Sequence, residues 1–411
     1  MKCVLIIPDG CADLPIESIG GCTPMSYAKT PMLDMIASEG IVGKSLYVPK
    51  GMPAGSDVAT LGLLGYNPKK YYTGRAPIEA VAQNIPLGDN DWAIRCNLVT
   101  IDNTKKVEPI MQSFSAGHIA SEEAVLLIET LNNELAPLSP IPIKFYPSVS
   151  YRNLCIANGC RDSFSKSTLT YPPHDYADKP INSALPTGTG SDILLNLMNE
   201  SKKIFANHPV NTKREKENKL PVTQIWLWGL GQKPQIPNFG KQFDQPKMKC
   251  AMITAVDLLR GIAVLIGWKN IIVPNITGYI DTDYAAKGRY AVEAIKEYDL
   301  VCVHIEATDE AGHEGSVEKK IYALEQIDEN IVKPIYHALQ SYGEEWRILV
   351  TPDHPTPVSL KTHTSDSVPW LLAGSNFIKS GIEDGYNEKS ATQNAKFVFD
   401  KGWEMMNLLV R

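Results

Sequence analysis

The sequence lacks any excess of positive charge, and this lack excludes broad classes of partner. Its 411 residues include 40 lysines and arginines against 46 aspartates and glutamates, which gives a formal net charge of −6. Nucleic acids and anionic lipid surfaces are bound through clustered basic side chains, which this balance does not supply. We therefore expect no nucleic-acid partner and no membrane partner. Any bound anion must be held by a few local cations.

Long apolar runs and paired cysteines are also absent. No apolar stretch approaches the roughly 18 residues needed to cross a bilayer, and the opening MKCVLIIPDG has too short an apolar segment for a secretory signal. The eight cysteines include no CxxC pair and lie in apolar segments, a usage typical of reduced thiols. These features predict a cytoplasmic protein; oligomeric state leaves no mark on the sequence.

What the sequence does contain is an alternation of short β-rich segments and helical patterns. Three apolar segments share one design, each followed by an acid: CVLIIP at 3–8, LVCVHIEA at 300–307 and RILVTP at 347–352. Such runs predict strands that are covered on both faces, as in parallel sheets. Further strands are predicted at NIIVP (270–274) and VPWLLAG (368–374), and one long helix at 321–339. The alternation predicts an α/β fold with a doubly wound, mostly parallel sheet.

The middle of the chain has a different composition. From about residue 75 to 245 it is rich in proline and loops, as in LAPLSPIPIKFYP and YPPHDYADKP. Its charge run TKREKENK, at 212–219, is interpreted as a solvated surface. We predict a smaller inserted α/β (α+β) domain over 75–245, and a catalytic domain formed by 1–74 and 246–411.

Acids and histidines follow the three apolar segments, where a parallel sheet would place its ligand site. In open α/β sheets, ligands bind beyond the carboxyl ends of the strands. The candidates are Asp9, Asp309, His313, Asp353, His354 and His363. Taken singly, each has a structural explanation, since an aspartate after a strand is commonly a turn residue or a helix cap. Together, carboxylates and imidazoles without thiolates favour one or two ions of Mn²⁺, Zn²⁺ or Mg²⁺.

Ser56 is the candidate nucleophile. It lies in GMPAGSDVATLGLLG, after a loop rich in glycine and proline and before a short apolar helix. Its hydroxyl would lie near free backbone N–H groups, which also favour a phosphate. The alternative is that Ser56 only caps the helix. A nearby divalent ion favours the nucleophile, because coordination stabilises the alkoxide.

These motifs, in this order, resemble the alkaline phosphatase superfamily and, more closely, the archaeal-type cofactor-independent phosphoglycerate mutases. The resemblance rests on IIPDG, GMPAGSDVATLGLLGYNPKKYYTGRAPIEA, IRCNLVT, SFSAGHI, ITAVDLLRGI, TGYIDTDYAAKG, IEATDEAGHEG and TPDHPTPVSLKTHTSDSVPWLL. It implies two divalent ions, with Mn²⁺ first and Zn²⁺ or Mg²⁺ as alternatives. It assigns Asp309, His313 and His363 to one ion, and it assigns to the other Asp9, Ser56, Asp353 and His354.

The same resemblance implies the reaction and the substrate. A phosphoserine would form at Ser56 while 3-phosphoglycerate and 2-phosphoglycerate interconvert, with no bisphosphoglycerate and with water excluded by domain closure. The partner is therefore a small phosphorylated metabolite. The implied substrate contacts are Arg75, Arg95, His118, Arg152 and Lys287. Each has a structural alternative: Arg95 could pair with a structural acid, and Arg152 could be a surface strand residue.

One departure from the family pattern leaves a second function open. Where many archaeal-type mutases have an arginine-glycine pair, this chain reads IWLWGLGQKP, with Lys233 as the nearest cation. That form resembles a bacterial subgroup with a proposed homoserine kinase role. The alternative function is thus intermolecular phosphotransfer from ATP, although the chain has no GxxxxGK[ST] phosphate loop. A third alternative is a binding protein with a decayed site.

Overall fold

The chain folds into two compact units. The computed structural model describes residues 1–103, 108–376, 384–393 and 397–411. One unit comprises 1–72 with 235–411, and the other 73–234. The predicted insertion, 75–245, therefore runs past the end of the second unit. Among the described residues, no helix combines the length and the apolar character that crossing a membrane requires.

Strands and helices are numbered here in chain order. The strands are β1 Lys2–Pro8, β2 Ile41–Ser45, β3 Trp92–Asp102, β4 Ile110–Ser113, β5 Ile143–Tyr146, β6 Arg152–Ala157, β7 Gln224–Gln232, β8 Cys250–Ile253, β9 Lys269–Asn270, β10 Leu300–Ile305, β11 Trp346–Val350, β12 Val368–Gly374 and β13 Val398–Phe399. The α-helices are α1 Pro24–Tyr27, α2 Pro31–Glu39, α3 Ser56–Leu63, α4 Pro68–Tyr71, α5 Arg75–Ala82, α6 Ser121–Thr130, α7 Ser191–Phe205, α8 Pro209–Lys216, α9 Phe239–Gln242, α10 Asp257–Leu265, α11 Tyr284–Glu297, α12 Ala307–Glu314, α13 Val317–Ile327, α14 Lys333–Ser341, α15 Glu388–Gln393 and α16 Met406–Val410.

The first unit is built on an eight-stranded sheet in the order β13-β2-β12-β11-β1-β10-β8-β9. Its centre is parallel, and β12 alone runs antiparallel to both of its neighbours. The three strands that precede the candidate acids are adjacent, with Leu5 of β1 paired to Cys302 of β10 and Leu349 of β11. The predicted mostly parallel sheet is confirmed. Because β11, β1 and β10 are parallel, their carboxyl ends meet at one edge.

The second unit contains an antiparallel sheet with helices. Its strands follow the order β4-β3-β6-β5, and β7 also pairs with β3. Its core is apolar and includes the almost fully buried side chains of Phe145, Phe205 and Trp226. The separation of antiparallel strands from helices is typical of an α+β domain.

Two sequence predictions within these elements were wrong in detail. The predicted strand at 270–274 is reduced to β9, Lys269–Asn270. The predicted helix at 321–339 is interrupted by a π-helical turn at Asp328–Val332, between α13 and α14. Pro334 lies in the first turn of α14. The backbone N–H groups of a first turn have no acceptor within their own helix, so a proline, which has no N–H, is tolerated there.

The charge run at 212–219 is exposed, as interpreted from the sequence, except at Arg214. Arg214 of α8 is buried, pairs with Glu123, and donates hydrogen bonds to the carbonyls of Ala116 and Leu220. A guanidinium can be buried in this way because its partners satisfy its N–H groups.

Candidate active site

The acids that follow the central strands lie at one edge of the first unit's sheet. Asp9 comes directly after β1 and is fully buried. Its Oδ2 lies 2.8 Å from Nε2 of His304, the fifth residue of β10. Glu306, which follows β10, places Oε2 3.4 Å from the same nitrogen. The parallel register thus gathers side chains that are about 300 residues apart in the chain.

A second set of predicted side chains converges around Asp309 of α12. Its Oδ2 lies 3.2 Å from Nε2 of His313, and its Oδ1 lies 3.5 Å from Nε2 of His363. The two histidine Nε2 atoms are 2.9 Å apart. The i, i+4 spacing on one helix turn brings Asp309 and His313 together, and a loop after β11 supplies His363.

Ser56 lies beside the third set. It is the first residue of α3, whose N-cap is Gly55, so the capping position itself carries no side chain. The Ser56 hydroxyl oxygen instead lies 3.3 Å from Nε2 of His354. That nitrogen is 3.5 Å from Oδ1 of Asp9 and 3.5 Å from Oδ2 of Asp353. The capping alternative for Ser56 therefore does not describe its side chain.

Three groups of side chains in this cluster could hold a metal ion, with ligand atoms all within 4.8 Å of one another. They are Asp309 with His313 and His363; Asp9 with Asp309 and His354; and Asp9 with His304 and Glu306. Oxygen atoms of Asp9, Asp353 and Glu306 are buried without a hydrogen-bond partner. Unpaired buried carboxylate oxygens are costly unless a cation compensates them. The donor set therefore fits divalent ions.

Burial and mutual repulsion perturb the acids of the cluster. Burial raises the pKa of Asp9 well above its ordinary value, and the neighbouring carboxylate of Asp353 raises it further. Burial raises the pKa of Glu306 to about 8, with Asp309 adding to the effect. At Asp309 burial acts in the same direction, but hydrogen bonds from His313 and His363 hold the pKa well below its ordinary value. The raised pKa values show that Asp9 and Glu306 have too little positive charge near them to offset their burial.

Sequence reasoning did not single out His304 or Glu306. Both lie in LVCVHIEA, where they were interpreted as parts of a buried strand and the turn after it. His304 is fully buried, and burial lowers the pKa of its imidazole to about 3. A histidine in a run of residues buried on both faces is a signal that could have identified it, because such a side chain needs a polar partner.

The raised pKa of Glu306 predicts how the stability of the metal-free protein depends on pH. A folded-state pKa of about 8, raised from 4.5, contributes stability that is fully present below pH 4.5 and is lost as pH rises towards 8. In Glu306→Gln we therefore expect the free energy of unfolding to fall less steeply across that window. Urea unfolding at several pH values with a chelator measures the slope. An exposed change on α12, Glu314→Gln, is the control, and an equal slope in Glu306→Gln and wild type would contradict the prediction.

The cations predicted to contact substrate include four from the second unit, and two of them share one acid. Nε of Arg75 lies 3.0 Å from Oε1 of Glu79, and Nε of Arg95 lies 2.9 Å from Oε2. Arg95 is buried and its guanidinium lies 4.2 Å from the ring centroid of Trp228. Burial alone would raise the pKa of Glu79, but Arg95 and Arg75 hold it below its ordinary value. The structural pairing foreseen as an alternative for Arg95 is therefore present.

The other two predicted substrate contacts of the second unit, Arg152 and His118, both lie near the ring of Tyr151. Exposed Arg152 lies 5.0 Å from the ring centroid of Tyr151, and the ring of exposed His118 is 6.1 Å from it. His174, which the sequence did not single out, contacts Trp228 edge to face at 5.5 Å. Burial lowers the pKa of His174, and electrostatic repulsion from Arg95, Arg75 and Arg152 lowers it further. The second unit thus concentrates positive charge in one region.

Lys287 differs from these cations because it is fully buried in the first unit. It lies on α11, and its Nζ donates to the carbonyl of His304 at 3.2 Å. Burial lowers the pKa of its ammonium group to about 8. It therefore lies inside the first unit against β10 rather than on an exposed surface.

Comparison with known proteins identifies the class of fold. The chain is similar in structure to a protein from Pyrococcus horikoshii, with a TM-score of 0.80 and 27% identity over 99% of this chain and 96% of that one. It shares its fold with the cofactor-independent phosphoglycerate mutase of Thermoplasma acidophilum, with a TM-score of 0.65 and 24% identity over 100% and 99% of the two chains.

Sequence comparison identifies the family. The family model for 2,3-bisphosphoglycerate-independent phosphoglycerate mutase matches residues 37–211. The mutase of that name from Methanothrix thermoacetophila is 44% identical over 410 residues, which cover 100% of both chains. The chain belongs to the family of 2,3-bisphosphoglycerate-independent phosphoglycerate mutases, as the motifs in its sequence predicted.

Proposed function

We propose that this chain interconverts 3-phosphoglycerate and 2-phosphoglycerate through a phosphorylated Ser56, without bisphosphoglycerate as a cofactor. The observation that carries the proposal is the position of the Ser56 hydroxyl. It lies 3.3 Å from His354 Nε2, among buried acids, and it caps no helix. A hydroxyl placed in this way serves phosphoryl transfer better than it serves the fold.

We infer two bound divalent ions, with Mn²⁺ first and Zn²⁺ or Mg²⁺ as alternatives. The first would be held by Asp309, His313 and His363, whose ligand atoms form one compact group. The second would be held by Asp9, Ser56, Asp353 and His354, which meet around His354 Nε2. When bound, such ions supply positive charge that stabilises an ionised serine hydroxyl and the oxygens of a phosphoryl group.

The residues of the chain then divide the work of the reaction. Ser56 Oγ takes the phosphoryl group from one hydroxyl of the glycerate and returns it to the neighbouring hydroxyl. The proton that Ser56 loses is matched by the proton that the freed hydroxyl gains, so no further reactant is needed. The substrate's anionic groups would be bound by Arg75, Arg95, His118 and Arg152, since guanidinium groups suit carboxylate and phosphate. A contact from Lys287 stays a prediction.

We place this reaction in the cytoplasm. All eight cysteines are free thiols, and seven of them are buried. Free buried thiols are typical of a reducing compartment.

Two assays on one preparation test the proposal against the phosphotransferase alternative. With Mn²⁺ and no nucleotide or bisphosphoglycerate, we expect 3-phosphoglycerate to be converted, and a chelator to abolish the conversion. With ATP and homoserine, we expect no phosphohomoserine. Phosphorylation of homoserine without mutase turnover would overturn the proposal and favour the phosphotransferase. Metal bound without either activity would favour the binding protein with a decayed site.

A further inference from the structure

The hydroxyl group of Thr356 contacts one predicted ligand of each ion. Thr356 is fully buried in the loop that follows Asp353 and His354. Its Oγ1 forms a short hydrogen bond with Oδ1 of Asp309 and lies 3.3 Å from Nδ1 of His354. The proposed function uses Asp309 and His354 for different ions, so a single hydroxyl lies between the two ligand sets.

The number of protons available determines the direction of both hydrogen bonds. A threonine hydroxyl has one proton, and an ionised carboxylate can only accept. Thr356 therefore donates to Asp309, and Nδ1 of His354 must donate to Thr356. The lone pair of His354 is then on Nε2, the nitrogen that lies 3.3 Å from Ser56 Oγ. Which ring nitrogen of a histidine can bind a metal is set by the hydrogen bond at the other one.

A buried ion pair holds the backbone of Thr356 in place. Lys320 is fully buried, and its Nζ donates to the Thr356 carbonyl at 2.8 Å and to Oδ2 of Asp13 at 2.8 Å. The same carboxylate accepts from the N–H of Val358 at 3.1 Å. The loop is therefore fixed at Thr356 and at Val358 by two side chains that are not among the predicted ligands.

Glycine at position 10 permits the close approach on which this arrangement depends. Gly10 has φ of +60°, and a Cβ there would lie 2.5 Å from Asp309 Oδ1 and 2.5 Å from Thr356 Oγ1. The N–H of Thr356 also donates to the Gly10 carbonyl at 3.2 Å. Any side chain at this position would separate the hydroxyl from the carboxylate.

We propose that Thr356 is a positioning residue that fixes the His354 tautomer and orients Asp309, so that one hydroxyl prepares both ligand sets for their ions. This inference rests on the proposed function, because it takes Asp309 and His354 as metal ligands. In the binding of the ions, Thr356 acts only through these two side chains.

Thr356→Val and Thr356→Ser form a matched pair that tests the inference. Valine keeps the shape of threonine and removes the hydroxyl, whereas serine keeps the hydroxyl. From the usual cost of losing an outer partner of metal ligands, we expect Thr356→Val to weaken Mn²⁺ binding by about 10- to 100-fold. Thr356→Ser should restore affinity to near the wild-type value. Isothermal titration calorimetry of the full chain measures the affinities, and thermal unfolding with a chelator reports whether the variants fold.

The outcomes separate this inference from the proposed function. Equal Mn²⁺ affinities in wild type and Thr356→Val, with normal mutase turnover, would overturn the role of Thr356 alone. A wild-type chain that binds none of Mn²⁺, Zn²⁺ and Mg²⁺ would overturn both. Should Thr356→Val not fold, ¹⁵N-histidine NMR of the wild type with Zn²⁺ tests the tautomer, with His354→Gln to assign the signal. A proton on His354 Nδ1 supports the inference, and a proton on Nε2 overturns it.

Discussion

Ser56→Ala is expected to lower the turnover of 3-phosphoglycerate by roughly 10⁴- to 10⁶-fold, the loss typical of removing a nucleophile. The physical reason is that the Ser56 hydroxyl lies beside His354 Nε2, whereas the hydroxyl of Thr356 lies beside Nδ1 of the same ring and cannot take its place. Steady-state kinetics with saturating Mn²⁺ measures the loss. After a quench with substrate, mass spectrometry should find the phosphoryl group on wild-type Ser56.

The control for this variant is Ser38→Ala. Ser38 is exposed on α2 and donates only to the Met35 carbonyl of the same helix, so its removal should leave turnover within about twofold, as surface changes of this kind do. Turnover within tenfold of wild type in Ser56→Ala, with metal bound, would contradict the nucleophile assignment.

Asp309→Asn is expected to have the second largest effect, since Asp309 takes part in two of the three candidate metal groups. An amide keeps the shape of the side chain but removes the charge that the ions require. We expect the metal content to fall from about two ions per chain to about one or fewer, as the loss of a dinuclear site implies. Turnover should fall by at least ~10²- to 10³-fold, a loss comparable to removal of a main electrostatic contact.

Metal analysis by mass spectrometry and steady-state kinetics check this result together. Glu314→Gln changes an acid of similar sequence position on the same helix, but Glu314 is exposed and pairs with Lys319. Its metal content and turnover should match wild type. If Asp309→Asn also keeps two ions per chain, Asp309 is not a ligand.

Much of the first unit could be predicted because its central strands are recognisable from their local sequence. Short, continuous apolar runs form β1, β10 and β11. Such runs are typical of strands that are buried on both faces of a parallel sheet. The antiparallel direction of β12 could not be predicted, because VPWLLAG carries no sign of its direction. The π-helical turn before α14 could not be predicted from the sequence either, since the helical spacing of apolar residues over 321–339 continues through it.

The part of the candidate site that could be predicted consists of residues that follow strands of the parallel sheet. Each chosen acid or histidine follows a strand, and the rule that ligands lie beyond strand ends places them together. His304 was not predicted as a site residue because it lies inside β10, within a run that was interpreted as a buried apolar strand. Thr356 was not identified because threonine has no charge, and the role proposed for it rests on contacts with Asp309 and His354 that only the folded loop creates.

The second unit was less predictable because its contacts depend on packing between elements that are far apart in the chain. Arg95 was recognised by its motif, but its pairing with Glu79 and its position over Trp228 depend on how β3 meets β7. His174 lies in a short 3₁₀ helix within a proline-rich segment, and nothing in the sequence places it beside Trp228.

The proposed reaction requires two divalent ions, one of them bound by the Ser56 hydroxyl, and anomalous X-ray diffraction from crystals grown with Mn²⁺ would locate both. We predict two manganese peaks. One should lie between Asp309, His313 and His363, and the other within coordination distance of Ser56 Oγ, Asp9, Asp353 and His354. A map with a single peak, or with two peaks of which neither lies within coordination distance of Ser56 Oγ, would contradict this prediction.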